Sequence, residues 1–228
     1  VNDAPTITST ADSTANEDEL YSYTITASDV DGNALTYAAP TIPGWLSFNA
    51  STHVLSGTPL NANVGDTTVV LTVTDNGEGT LQDSQTFTLT VTNTNDTPVL
   101  DPISDPSAVL EDGDNITVIV APTDEDSGAS LTVSVSTNNG SLFPSSSITI
   151  VDTTGGSGTS RTITMNPLDN QSGTAFVTVS VSDGSESVSR QFTATVTAVN
   201  DAPTITSTAD STATEDAAYS YTITASDV

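Results

Sequence analysis

The sequence predicts an all-β protein: tandem Greek-key β-sandwiches of the immunoglobulin type, strung in an elongated array. Three observations predict it. Apolar and polar residues alternate with period two through most of the chain, turn dipeptides interrupt the alternation about every ten residues, and the chain repeats itself over the length of whole domains.

The strands come first. In YSYTITAS, residues 21–28, the apolar face is Tyr21, Tyr23, Ile25 and Ala27. Val69, Leu71 and Val73 share a face, and so do Phe87, Leu89 and Val91 in QTFTLTVTN. The second half repeats the scheme with Leu131, Val133 and Val135, then Val177, Val179 and Val181, then Phe192, Ala194 and Val196. Thr and Ser fill the intervening positions, as expected of antiparallel strands with one face on a core and one in water. Turn signals separate them: Asp31-Gly32, Asn76-Gly77, Asn139-Gly140, the Gly155–Gly158 run and Asp183-Gly184. No stretch has the period of an amphipathic helix, and the Cys…Trp…Cys mark of antibody domains is absent.

The repeat sets the domain organisation. Residues 1–30 return at 199–228 with three changes: Asn16 against Thr214, Glu19 against Ala217 and Leu20 against Ala218. A related NDTP at residues 95–98 divides that period. The expected domains are 1–97 and 98–201, each of ordinary sandwich size. Residues 202–228 start a third repeat, too short to bury a core alone. The chain therefore reads as a piece of a longer array.

Charge excludes several functions. There are 29 acidic residues against two basic ones, both Arg, for a formal charge of −27. Nucleic-acid binding depends on neutralising phosphates with Lys and Arg, so it is not expected. An anionic membrane surface is disfavoured for the same reason. No apolar run is long enough to span a bilayer, and with no Cys there are no disulfides or thiolate metal sites. Sustained β patterning argues against acidic disorder. Small cations are the remaining class of partner.

The acids recur at comparable points. A Glu-Asp pair precedes the first long strand: Glu17-Asp18, Glu111-Asp112 and Glu215-Asp216. An Asp-x-Asp follows that strand: Asp29 and Asp31, Asp124 and Asp126, with Asp227 opening a third. One Asp ends the penultimate strand, Asp75 or Asp183, and Asn2-Asp3, Asn95-Asp96 and Asn200-Asp201 lie at the domain borders. An isolated Asp-Gly is ordinarily a turn, and a lone Glu-Asp pair is ordinarily solvated. Gathered at one pole of a sandwich, however, each close like-charged pair would cost up to a few kcal/mol at an effective dielectric of about 20. Calcium suits such a pole, because it takes six to eight oxygen ligands in flexible geometry; magnesium prefers to keep its waters.

These residues resemble cadherin repeats. LTVTDNGEGTLQDSQTFTLTVTNTNDTP at residues 71–98 is similar to a cadherin repeat's V-x-A-x-D-x-G strand and D-x-N-D-x-x-P linker. ITASDVDGN and IVAPTDEDSG resemble its A-x-D-x-D-x-G element. IPGWLSFNASTHVLSGTP at residues 42–59 resembles the signature of dystroglycan-type cadherin-like modules. NPLDNQSGTAFVTVSVSDGSESVSRQFTATVTAVNDAP resembles the tandem stalk repeats of very large bacterial surface adhesins, including those of RTX type.

The resemblance implies calcium between consecutive repeats. At the first border the ligands would be Glu17, Asn95 and Asp96, with the Thr97 carbonyl, and Asp124, Asp126 and Asp183 from the second domain. Glu111, Asn200, Asp201 and Asp227 match at the next, with Asp169 where cadherins carry an L-D-R-E acid. Asn2, Asp3, Asp29, Asp31 and Asp75 would serve a site completed by an upstream domain. Asn61-Ala62-Asn63 replaces the acidic L-D-R-E element of the first domain, with Asp66 nearby, and the linker acid is Asn93 in one border and Ala198 in the other. These losses of charge imply one or two ions per border. The implied role is a calcium-stiffened stalk of a secreted or surface-attached bacterial adhesin, of the kind that serves in biofilms. Its partners would be neighbouring repeats, with cell-surface glycans or proteins engaged by other domains.

Two rivals stand beside this reading. Catalysis is not expected: the sole His, His53, is expected on a short strand beside Leu55, no Gly-x-Ser-x-Gly elbow exists, and without Lys there is no phosphate loop. A calcium-dependent carbohydrate-binding module is the alternative, but the sole Trp, Trp45, lies in the core signature and is expected to be buried. The Thr-x-Thr faces are those of ordinary solvated strands.

Overall fold

The computed structural model describes residues 1–126, 128–152 and 154–227. It divides into two compact units. The first holds Val1–Asp96 together with Glu125 and Asp126, and the second holds Thr97–Asp124 and the rest of the chain.

The first unit is built from β1 (Thr6–Ile7), β2 (Thr14–Asn16), β3 (Tyr21–Thr24), β4 (Ala27–Ser28), β5 (Thr36–Thr41), β6 (Ser47–Asn49), β7 (Val54–Gly57), β8 (Gly65–Thr74) and β9 (Gln82–Thr92). One sheet has the order β2-β9-β8-β5 and the other β3-β7-β6, with β1 paired to β4. Neighbours are antiparallel except β2, which runs parallel to β9. Alternation along β8 and β9 turns Val69, Leu71, Val73, Leu89 and Val91 inward against Tyr21, Tyr23, Ile25 and Leu55. Each fully buried Leu or Val contributes about 1.5–3 kcal/mol. The two tyrosines keep their hydroxyls satisfied: Tyr21 donates to the Asp12 carbonyl (2.7 Å) and Tyr23 to Gln85 Oε1 (2.8 Å). Trp45 is half-buried against this core, edge-on to Tyr21. His53 is not on a strand. It sits in the turn before β7 at φ 59°, stacked on Tyr37 at 3.8 Å.

The second unit repeats the plan with β10 (Val109–Leu110), β11 (Ile116–Val120), β12 (Leu131–Thr137), β13 (Ile148–Val151), β14 (Thr154–Gly155), β15 (Arg161–Met165), β16 (Gly173–Ser182) and β17 (Ser187–Thr197). The sheets are β10-β17-β16-β12-β14 and β11-β15-β13, with β10 parallel to β17. Its core includes Ile116, Leu131, Phe143, Ile163, Val179 and Phe192. Beyond it, β18 (Thr204–Ile205) pairs with β19 (Ala225–Ser226), as β1 pairs with β4. Within 202–227, Tyr219 and Ile223 are 50% and 65% exposed, whereas their counterparts Tyr21 and Ile25 are 6% and 0% exposed. The same apolar face is exposed to solvent in this segment.

Candidate metal centre

Acidic side chains gather at both ends of the first unit. At one end, the parallel β2–β9 ladder continues one residue past β2. The Glu17 N–H donates to the Thr92 carbonyl (3.0 Å). This holds Glu17 against the sheet, and it is 1% exposed. The chain then reverses through Asp18, at φ 59°, whose N–H donates to the Pro59 carbonyl (2.9 Å). Asp tolerates this left-handed conformation better than most residues. Beyond β9, the Thr94 N–H donates to Glu17 Oε2 (3.3 Å), and the Thr94 hydroxyl donates to the Glu17 carbonyl (3.2 Å).

Glu17, Asp18 and Asp96 each bring a carboxylate oxygen to within 4.8 Å of the others. Asp126 joins them: its Oδ2 accepts the Asp96 N–H (2.9 Å) and its Oδ1 accepts from Asn93 Nδ2. Burial pushes the Glu17 carboxyl above its ordinary value of 4.5, and the charges of Asp96, Asp18 and Asp126 push it the same way, against the Thr94 N–H. A buried carboxylate among three others, with no basic side chain bonded to it among the described residues, fits a hard cation that takes oxygen ligands.

The other end is formed by the residues before β1, the β4–β5 connection and the β8–β9 connection. Asp75 is 4% exposed; its Oδ1 accepts the N–H groups of Leu81 (2.9 Å) and Gly77 (3.2 Å), and its Oδ2 accepts from Asn2 Nδ2 (2.8 Å). Asn33 Nδ2 donates to Asn2 Oδ1 (2.6 Å), and the Asp3 N–H donates to Asp31 Oδ2 (2.7 Å). Asp29 Oδ1 accepts the N–H groups of Asp31 and Asn33, both at 3.0 Å. Its Oδ2 is buried with no hydrogen-bond partner. An oxygen left in that state costs about 1–3 kcal/mol, more when charged, so a ligand that takes it up is favoured.

In the second unit, Glu111 repeats Glu17. It is 7% exposed, its N–H donates to the Thr197 carbonyl (3.0 Å), and its Oε1 accepts the Val199 N–H (2.8 Å). Asp112 follows at φ 57°, as Asp216 does at 63° in the third copy. Asp112 Oδ1 accepts the Asn170 N–H (3.1 Å), beside a cleft of about 550 Å³ lined also by Asp169. Asp183 Oδ1 closes the β16–β17 turn on the N–H groups of Ser185 and Glu186. Asp124 is 9% exposed, and Ser157 Oγ bonds its N–H (2.9 Å) and its carbonyl (3.1 Å). Asn95 and Asn200 are alike: each side-chain amide donates to the next residue's carbonyl at 3.0 Å, that of Asp96 or Asp201. Asp227 follows β19 and is exposed.

The residues the sequence singled out are thus distributed unevenly. Glu17, Asp96 and Asp126 meet in the first unit, and Asn2, Asp3, Asp29, Asp31 and Asp75 at its other end. Asp126 groups with the first unit, whereas the sequence places it in the second domain; Asp124 and Asp183 lie in the second unit. Asp66 is on β8, bonded to Thr90 (2.6 Å), and belongs to neither cluster. Asp18 and Asn33 were missed as site residues. Asp18 stands in the recurring Glu-Asp pair, but which acid turns inward depends on the β2–β9 ladder.

Residues 4–92 match the family model described as "Putative Ig domain". A search of curated proteins found no match. Among solved structures, the protocadherin gammaB7 EC3-6 cis-dimer is similar, with 18% identity and a TM-score of 0.58 over 99% of this chain and 56% of that one. Protocadherin Gamma B2 extracellular cadherin domains 3-6 give 18% identity and a TM-score of 0.50 over 86% and 53%. An endo-fucoidan hydrolase of glycoside hydrolase family 107 gives 19% identity and a TM-score of 0.34, and the chain covers 29% of its length. The fold is immunoglobulin-like and cadherin-like. Among the described residues no helix is long and apolar enough to cross a membrane.

Proposed function

We propose that this chain is a run of calcium-binding spacer modules in the stalk of a large extracellular protein, a bacterial surface adhesin, and that it has no catalytic role. The observation that carries the reading is the convergence of Glu17, Asp18 and Asp96 within 4.8 Å, with Glu17 buried. When bound, calcium supplies positive charge and accepts six to eight oxygen ligands. The chain's own residues do the rest. The β2–β9 ladder presents Glu17, the left-handed turn presents Asp18, and Asn93 and the Asp96 N–H orient Asp126. Asp29 Oδ2 offers the second candidate ligand oxygen, and the Glu111–Asp112 arrangement repeats the first site's plan. The residues after β9 and β17 would stiffen as their acids are neutralised.

Extracellular calcium modules bind at about 10⁻⁴–10⁻³ M. One site filled to ten times its Kd stabilises the fold by about 1.4 kcal/mol. For a domain of this size that corresponds to roughly 5–10 °C in Tm. Calorimetric titration with calcium and melting curves with and without EDTA test the reading. Heat of binding and a Tm drop of about 5 °C or more on chelation are expected; no change in either would end it. A glycan-array signal lost in Trp45→Ala would replace it with carbohydrate binding.

A further inference from the structure

Two Asn-Gly pairs interrupt the strands: Asn76-Gly77 in the β8–β9 connection and Asn139-Gly140 after β12. Such a pair carries its own chemistry. The Gly nitrogen attacks the Asn side-chain carbonyl carbon, and glycine has no Cβ to crowd the closing ring. The nitrogen gives up its proton to solvent and bonds Cγ. The Cγ–Nδ2 bond breaks, and the amide leaves with a solvent proton as ammonia. Water then opens the cyclic imide to aspartate or isoaspartate. The reacting groups are neighbours in the chain, so the rate depends on how the fold holds them.

The two pairs are held differently. Asn76 is exposed, and its Oδ1 accepts the Ala34 N–H (2.9 Å) from the β4–β5 connection. That donor polarises the carbonyl under attack and stabilises the oxyanion that forms on it, as preorganised N–H groups do in acyl transfer. Among the described residues Asn76 Nδ2, the leaving amide, makes no hydrogen bond. The Gly77 N–H donates to Asp75 Oδ1 at 3.2 Å, the long end of the range, so little is lost when its proton leaves. Asn139 is half-buried and tied at both side-chain atoms: Oδ1 accepts the Leu142 N–H (3.2 Å), and Nδ2 donates to the Thr174 carbonyl (3.2 Å). Its carbonyl accepts the Phe143 N–H (2.9 Å), and its N–H donates to Thr137 Oγ1 (3.1 Å). We infer that Asn76 is a self-modification site: it deamidates in the folded chain, through Gly77 and under the Ala34 N–H, while Asn139 is protected by its anchored amide. The aspartate product accepts the same Ala34 N–H and adds one negative charge next to Asp75. The inference stands apart from the calcium reading.

The test is a time course of the full 228-residue chain in mildly alkaline buffer, read by Glu-specific cleavage and tandem mass spectrometry. The mass gain of amide-to-acid conversion should appear at Asn76 about tenfold faster than at Asn139, with aspartate and isoaspartate both present. In urea the two rates should converge, because each pair then keeps only its local sequence. Asn76→Ser should abolish the fast conversion and leave the rate at Asn139 unchanged. Equal rates in the folded chain, a faster Asn139, or a rate at Asn76 that rises on unfolding would each overturn the inference.

Discussion

At Glu17 burial and charge push the same way. The ladder to Thr92 buries the carboxylate, and that burial, helped by the charges of Asp96, Asp18 and Asp126, raises its pKa against the opposing Thr94 N–H. Removing that charge should therefore have opposite effects in the two states of the site. In EDTA at neutral pH, Glu17→Gln should melt above wild type, because repulsion and charge burial are relieved. In saturating calcium it should melt below, because a ligand is lost. Melting curves in both buffers check this; shifts of the same sign would remove Glu17 from the site. The folded-state pKa lies above 4.5, so the metal-free fold binds the Glu17 proton more tightly than the unfolded chain does. The EDTA gap between variant and wild type should close as pH falls through the raised pKa toward 4.5. Tyr21 is a control outside the two acidic clusters. Burial lifts its phenol from 10.0 to about 12, so its contribution is complete below 10 and is lost as pH rises through about 12. Ultraviolet titration should show a late phenolate that is missing in Tyr21→Phe.

At the scale of elements, stability and binding separate. Leu71 is 0% exposed at the middle of β8. Leu71→Ala should cost about 2–5 kcal/mol by urea unfolding, equally with and without calcium, because Leu71 packs in the apolar core and belongs to neither acidic cluster. Gly77 behaves differently. A Cβ there would fall 1.9 Å from Asn2 Oδ1. Gly77→Ala should push Asn2 off Asp75 and Asn33, a loss of about 1 kcal/mol for each hydrogen bond broken. It should weaken calcium binding at that end while leaving the β8–β9 hairpin intact. Unchanged calcium titration in Gly77→Ala would take Asn2 out of the site.

For the whole molecule the governing quantity is the charge of −27. Without metal, the acids repel one another over distances set by the Debye length, which shrinks from about 30 Å at 0.01 M salt to about 8 Å at 0.15 M. Tm in EDTA should rise with sodium chloride across that range. In saturating calcium the slope should be smaller, because the closest charges are already neutralised. Equal slopes would show that no acids are being compensated at specific sites.

Much of this was legible in order along the chain. Period-two patterning forces alternate side chains to opposite faces, so YSYTIT and LTVTD announce their buried residues without a fold, and the 1–30 repeat announces modular architecture. The recurring acids and the scarcity of bases likewise mark candidate cation ligands in the sequence. Tertiary structure alone decided which acids meet. Glu17 and Asp96 are 79 positions apart (96 − 17) and come together only because β2 runs parallel to β9. Asp18 joins them through a left-handed turn, and Asp29 is left with a buried, unbonded oxygen by loops that close over it. Alternation is a local property of the extended chain; proximity between distant carboxylates is set by how the strands pair.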